Sequence, residues 1–185
     1  MEMYIHGRYS FVDADVKQWV DWGIDYLKYD WSPNDLHYTQ EMHDALRKCG
    51  RDIVYSISNN APYADAPLWM ELCHCWRTTG DIRDTWKSMS AIGFAHDRWM
   101  PFTGPGHWAD PAMLVVGMVG WGPKLHYTKL TADEQYTHIS LWALLSAPLL
   151  IGCDLAQLDD FTISLLTNDE VIDINQDPLG YQAAP

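Results

Sequence analysis

Nowhere in the 185 residues is there a run of about 18 apolar side chains, so no membrane-spanning helix is expected. Positive charge is scarce. Twelve lysines and arginines face 25 aspartates and glutamates, a formal charge of −13. A field of that sign repels phosphate backbones and gives no support for an anionic membrane surface, so neither a nucleic-acid nor a membrane partner is expected. Met1-Glu2-Met3-Tyr4 has neither a basic nor an apolar stretch, and no leader is expected there. No Gly-x-Gly-x-x-Gly follows an apolar run, which counts against a dinucleotide fold. No Gly-x-Ser-x-Gly surrounds Ser58, which counts against a serine nucleophile. Cysteine is sparse: Cys49, Cys73, Cys75 and Cys153. Cys73 and Cys75 flank His74, but the second ligand pair of a structural zinc site is missing, so these read as packed thiols. There is no repeat and no low-complexity stretch.

What is abundant is tryptophan and tyrosine, ten of each. They suit an aromatic core and also suit stacking on the apolar face of a sugar. Short apolar runs recur at Ile24 to Tyr29, Ile53 to Ile57, Cys75 to Thr79, Met113 to Val116 and Leu149 to Cys153. Each is nearly continuous, as strands buried on both faces are. Helical stripes lie between them. Val16, Trp19 and Val20 mark a helix from Asp13 to Trp22, stopped by Gly23. Asn34 or Asp35 can cap a helix running to Lys48. Ile82, Trp86, Met89 and Ile92 form a stripe ending at Gly93, and Thr131 and Glu134 have capping-box spacing. A short helix is expected from Phe161 to Leu166. Strands alternating with helices imply a parallel sheet with crossovers, and polar residues cluster just after the strands. In a (β/α)₈ barrel those strand ends build the active site, but five strands are too few to close one. The expected fold is therefore α/β, one partial (β/α)₈ barrel domain over residues 1–185, entered partway.

Two aspartates suit glycoside cleavage with retention, which needs two carboxyls about 5 to 5.5 Å apart. Asp30 ends a strand, and Lys28, two residues earlier on the same face, favours its ionised form. Spacing alone favours an ordinary Lys–Asp surface pair in a loop. Asp81 follows the third apolar run and is either a proton donor or a helix N-cap. Asp84 is a competitor expected one turn into the helix and facing away. Among the tryptophans, Trp108 beside Asp110 is the better sugar platform, with Trp121 as another candidate, while Trp142 reads as core. Most histidines, His37 and His43 included, are expected to be solvated or locally hydrogen-bonded; His107, in a glycine-rich loop, is a candidate substrate contact.

The segments DWGIDYLKYDWSPND, RDIVYSIS, WRTTGDIRDTW, GPGHWADPAMLVVG, SLWALLSAPLLIGCDL and VIDINQDPLG, in this order, resemble glycoside hydrolase family 27, the α-galactosidases and α-N-acetylgalactosaminidases. The resemblance implies a barrel followed by an antiparallel β domain, with Asp30 as nucleophile and Asp81 as acid/base. It implies that Lys28 and Arg77 hold sugar hydroxyls, and that Ser58, Ala61, Trp108, Asp110 and Met113 contact the substrate. It implies no metal or organic cofactor, and a galactose-containing oligosaccharide or glycoconjugate as partner. The family's paired sugar-gripping aspartates and an early tryptophan would fall before Met1, and its second domain after Pro185. Little activity is therefore expected of these residues alone.

Departures from the family pattern are specific. Ala112 replaces a carboxylate in Asp110-Pro111-Ala112-Met113, Ser32 replaces a cysteine, and Ile57 replaces the usual partner of Cys73. The loop Ser58-Asn59-Asn60-Ala61-Pro62 fits neither the galactosidase nor the N-acetylgalactosaminidase type in full. An α-galactosidase is the leading expectation. An α-N-acetylgalactosaminidase, a β-L-arabinopyranosidase and an inactive sugar-binding remnant stay open.

Overall fold

The computed structural model describes residues 9–30, 34–58, 60–120 and 124–183. Met1 to Tyr4, Ser32, Asn59 and Trp121, singled out above, lie outside them. The backbone falls into two units, residues 1–78 and 79–185.

In the first unit, α1 (Val12–Asp21) leads into β1 (Tyr26–Tyr29), α2 (Leu36–Lys48), β2 (Val54–Ile57), α3 (Ala66–Leu72) and β3 (Cys75–Arg77). Of the two candidate caps, Asp35 starts α2, its carboxylate accepting from the amides of His37 at 2.8 Å and Tyr38 at 3.3 Å. Arg47 and Lys48 end that helix, where a cation suits the helix dipole. The strands are parallel in the order β1-β2-β3. Register pairs Lys28 with Ser56 and Tyr29 with Ile57. Tyr55, Ile57, Trp69 and Trp76 are buried, together with Val16, Met42 and Leu46 from the helices. β1 departs from expectation: its residues alternate between exposed and half-buried, because it is the outer strand of the three. Arg51 fixes its entry. The guanidinium donates to the carbonyls of Ile24 at 2.9 Å and Gly23 at 3.0 Å, and pairs with Asp25.

The second unit contains α4 (Trp86–Gly93), β4 (Trp108–Asp110), a two-stranded antiparallel ribbon of β5 (Met118–Val119) and β6 (His126–Tyr127), α5 (Ala132–Leu144), α6 (Asp160–Leu166) and α7 (Asp169–Asn175). α5 opens with the expected capping box: Thr131 Oγ1 accepts from the Glu134 amide, and Glu134 reaches back to the Thr131 amide at 2.8 Å. One apolar cluster gathers Met89, Leu114, Val116, Val119, Ile139, Trp142, Leu145 and Leu165. Trp142 is fully buried, as expected of a core residue, and donates to the Ala112 carbonyl at 2.7 Å.

Two expected strands shrink to a single bridge. Only Leu114 and Ile151 pair, in parallel, within Met113 to Val116 and Leu149 to Cys153. Side chains claim much of the backbone hydrogen bonding that a ladder would use. The Val115 amide donates to His138 Nε2 at 3.1 Å, the Gly117 amide to Gln135 Oε1 at 3.2 Å, and Thr128 Oγ1 donates to the Val115 carbonyl at 2.8 Å. The stripe from Ile82 also breaks into two pieces. Ile82 is buried in a loop, and the helix starts only at Trp86, capped by Thr85.

Candidate active site

In the first unit, Asp30 directly follows β1, and Ser58 directly follows β2 beside it. Parallel register therefore brings the two to neighbouring strand ends. The Ser58 amide donates to the Tyr29 carbonyl at 3.2 Å, and its hydroxyl donates to Asp30 Oδ1 at 2.5 Å. Ser58 is buried while Asp30 is exposed, so a fixed donor grips a carboxylate that faces solvent. A hydrogen bond of this kind favours the ionised form. Asn34 holds Ser58 from the other side, donating to its carbonyl at 2.7 Å. Lys28 is exposed and lies two residues before Asp30 on β1. Ala61 is buried, and its amide donates to the Arg77 carbonyl at 2.8 Å, which ties the loop after β2 to the end of β3. Asn60 in that loop has φ 58°, a conformation asparagine tolerates better than most residues. Ser58 thus spends its proton on Asp30, a contact that spacing along the sequence does not reveal.

His74 does not prepare a metal site. Its Nδ1 accepts from the Tyr55 amide at 2.9 Å, and its own amide donates to the Tyr55 carbonyl at 2.9 Å. The ring therefore serves as a strand partner, and burial lowers its pKa, keeping it neutral. Cys73 is a free thiol, pushed up by burial. Among the described residues no group of His, Cys, Asp or Glu is arranged to hold a metal ion.

In the second unit, Asp81 is exposed on a loop held at several points. Thr79 Oγ1 donates to the Pro111 carbonyl at 2.7 Å, Ile82 is buried, and the Arg83 amide donates to Ser88 Oγ at 2.9 Å. Asp81 is not the helix cap; Thr85 has that task. Asp84 is not one turn into the helix, as the sequence suggested. It lies before the helix, its carboxylate 12% exposed, and accepts from His126 Nε2 at 2.9 Å and the Lys129 amide at 3.1 Å. Lys129 Nζ stands 3.6 Å away. Burial alone would raise the Asp84 pKa, but these donors outweigh it and leave the carboxyl below its usual range. Asp81, Asp84, Arg83, Lys124, His126 and Lys129 line one open cleft floored by Val115 and Val119.

Asp110, buried at the end of β4, accepts from the Ala112 amide at 2.9 Å. Ala112 takes φ 141°, where L side chains are strained, so the residue replacing a carboxylate sits in an unusual backbone conformation. Trp108 is half-buried. Gly180 packs so tightly on its indole that a Cβ there would lie 2.7 Å from Cη2, so part of the proposed platform is covered. Met113 packs against Gly152, where an added Cβ would meet Sδ at 2.7 Å. His107 Nδ1 lies 3.0 Å from the Phe102 carbonyl, a local hydrogen bond.

Carboxylates at the ends of parallel strands, Asp30 after β1 and Asp110 at the end of β4, place the chain among α/β domains that carry polar groups at their strand ends. Residues 3–177 match the family model described as Alpha galactosidase A, and the chain belongs to that family. It is 43% identical over 180 residues to alpha-galactosidase 2 of Arabidopsis thaliana, covering 95% of this chain and 43% of the relative. A β-L-arabinopyranosidase of glycoside hydrolase family 27 from Geobacillus stearothermophilus, solved with arabinose, superposes with a TM-score of 0.85 at 32% identity, covering 90% of this chain and 41% of that one. An α-galactosidase from Saccharomyces cerevisiae, solved with raffinose, gives 0.74 at 26% identity, covering 92% and 42%. The family resemblance read from the segments is thereby borne out. The chain spans less than half the length of these relatives, and its fold is part of the (β/α)₈ barrel of its structural neighbours.

Proposed function

We propose that the protein is a retaining glycoside hydrolase acting on terminal α-D-galactosides, with Asp30 as nucleophile and Asp81 as acid/base. The observation that carries the reading is the Ser58 hydroxyl 2.5 Å from Asp30 Oδ1, a buried donor that orients the carboxylate at a strand end. In the first step the Asp30 carboxylate attacks the anomeric carbon while the bond to the leaving oxygen breaks, and Asp81 gives that oxygen its proton. In the second step Asp81 takes a proton from water, the hydroxide oxygen bonds to the anomeric carbon, and Asp30 leaves as carboxylate. Lys28 and Arg77 are proposed to hold sugar hydroxyls, with Ala61, Trp108, Asp110 and Met113 shaping the rest of the site. Arg77 supplies a planar fork suited to paired oxygens. No cofactor enters this chemistry.

The superposition on a β-L-arabinopyranosidase supports a second reading, a substrate that is galactose-like without the carbon-6 arm. Parallel assays of the intact protein on nitrophenyl α-D-galactoside and β-L-arabinopyranoside decide between them by kcat/KM. Asp30→Ala in the intact protein should abolish turnover of whichever is preferred. Wild-type rates in that variant would remove Asp30 from the mechanism, and galactose binding without any hydrolysis in the unmodified protein would favour a sugar-binding remnant.

A further inference from the structure

Asp84 and His126 form a connected polar pair that the chemistry above leaves unused. Asp84 lies three residues after Asp81, on the same loop and the same cleft wall. Its carboxylate reaches the ribbon through His126 Nε2 and the start of α5's approach through the Lys129 amide and Nζ. The second ring nitrogen of His126, Nδ1, lies 3.1 Å from the Lys124 carbonyl. A carboxylate and a carbonyl can only accept, so satisfying both requires a ring carrying two N–H groups, the imidazolium. The ribbon itself is anchored: Val119 is buried in the core, the Thr128 amide donates to the Gly117 carbonyl at 2.8 Å, and the Asp154 amide donates to the Met118 carbonyl at 2.8 Å. Of the charged groups around His126, Asp84 is in contact with it, Lys129 reaches the same Asp84 carboxylate, and Asp81, Arg83 and Lys124 lie along the same cleft. On the neighbouring residue, Tyr127 hydrogen-bonds Asp159.

We propose that Asp84, clamped by His126, is a positioning residue that holds the loop bearing Asp81 in the geometry proton transfer requires. The proposal rests on the reading of Asp81 as acid/base. Thr79 and Ile82 fix the near side of the loop, but Asp81 itself is exposed, and Gly80 before it has open space where a Cβ would go. Asp84 is the charged tie on the far side. A displacement of about 1 Å at a proton donor costs on the order of a hundredfold in rate.

Leaving-group dependence separates this role from a merely structural one. A dinitrophenyl leaving group departs without a proton, whereas an alkyl leaving group needs one. In the intact protein, Asp84→Asn should lower kcat/KM on an alkyl galactoside by about tenfold or more and leave the dinitrophenyl galactoside within about twofold. His126→Gln, at a half-exposed position, should shift the ratio in the same direction. The double variant should be no worse than Asp84→Asn, because the two act as one unit. Asp81→Ala is the reference. If it shows strong leaving-group dependence and neither Asp84→Asn nor His126→Gln does, the positioning role is overturned while the acid/base assignment stands. If Asp81→Ala itself shows none, the assignment of Asp81 fails. Equal losses on both substrates in the Asp84 and His126 variants would reduce the clamp to a structural tie and overturn the proposal.

Discussion

Acid sensitivity can be worked out from His138. The ring is fully buried in α5, accepts the Val115 amide through Nε2 at 3.1 Å and stands edge-on to Trp142 with centroids 4.2 Å apart. Burial lowers its pKa to about 4. An unfolded chain would protonate the same ring near 6.5, so between these values the unfolded state binds the proton and the native state does not. Stability is therefore fully present above about pH 6.5 and is lost as pH falls toward 4. A difference of roughly 2.5 units at about 1.4 kcal/mol each amounts to about 3 kcal/mol. His96, also buried and held at about 4, adds a second proton of the same sign. In His138→Gln the amide oxygen can take the Val115 N–H while the titration disappears. Urea unfolding of the intact protein, followed by tryptophan fluorescence between pH 5 and 6.5, should show the variant's stability falling less steeply, by an amount that grows toward about 1.4 kcal/mol per pH unit at the acid end. An unchanged slope would show that His138 titrates normally in the folded protein and would refute the reasoning.

Other consequences follow from single contacts. Ser58→Ala removes the hydroxyl that grips Asp30; a hydrogen bond to a charged group is worth about 1.5–3 kcal/mol, so kcat/KM should fall about 10- to 100-fold with the melting temperature little changed. A wild-type rate would show that the hydroxyl does not assist the carboxylate. Gly117 has φ 65°, and an added Cβ would lie 2.7 Å from Thr162 Cγ2, so Gly117→Ala should cost about 1–3 kcal/mol in a thermal or urea melt. A stability equal to wild type would mean that α6 gives way without cost.

The sequence carries the periodic parts of this fold well and the irregular parts poorly. Asp35 capping α2, the Thr131–Glu134 box and the strand before Asp30 all follow from local patterns whose physics is local. β4 went unrecognised because Trp108 to Asp110 sits in a run of glycine and proline that reads as loop. Met113 to Val116 reads as a strand because it is apolar, yet His138 and Thr128, both more than ten residues away, supply partners for the Val115 backbone, and Gln135 does so for Gly117 just beyond it. Asp84 was misplaced for the same reason. Its partners His126 and Lys129 lie more than forty residues on, and periodicity around Asp84 says nothing of them. At the candidate site, strand-end aspartates are visible in the sequence, but the donor that orients Asp30 becomes visible only once β1 and β2 are paired in register.

The most direct test of the account is to trap the covalent intermediate. The intact protein would be incubated with a fluorinated galactosyl fluoride that forms a slowly hydrolysed glycosyl-enzyme, digested, and the labelled peptide sequenced by mass spectrometry. The account predicts one sugar attached through an ester to Asp30. A label on another carboxylate, or turnover of galactosides with no covalent label at all, would contradict it.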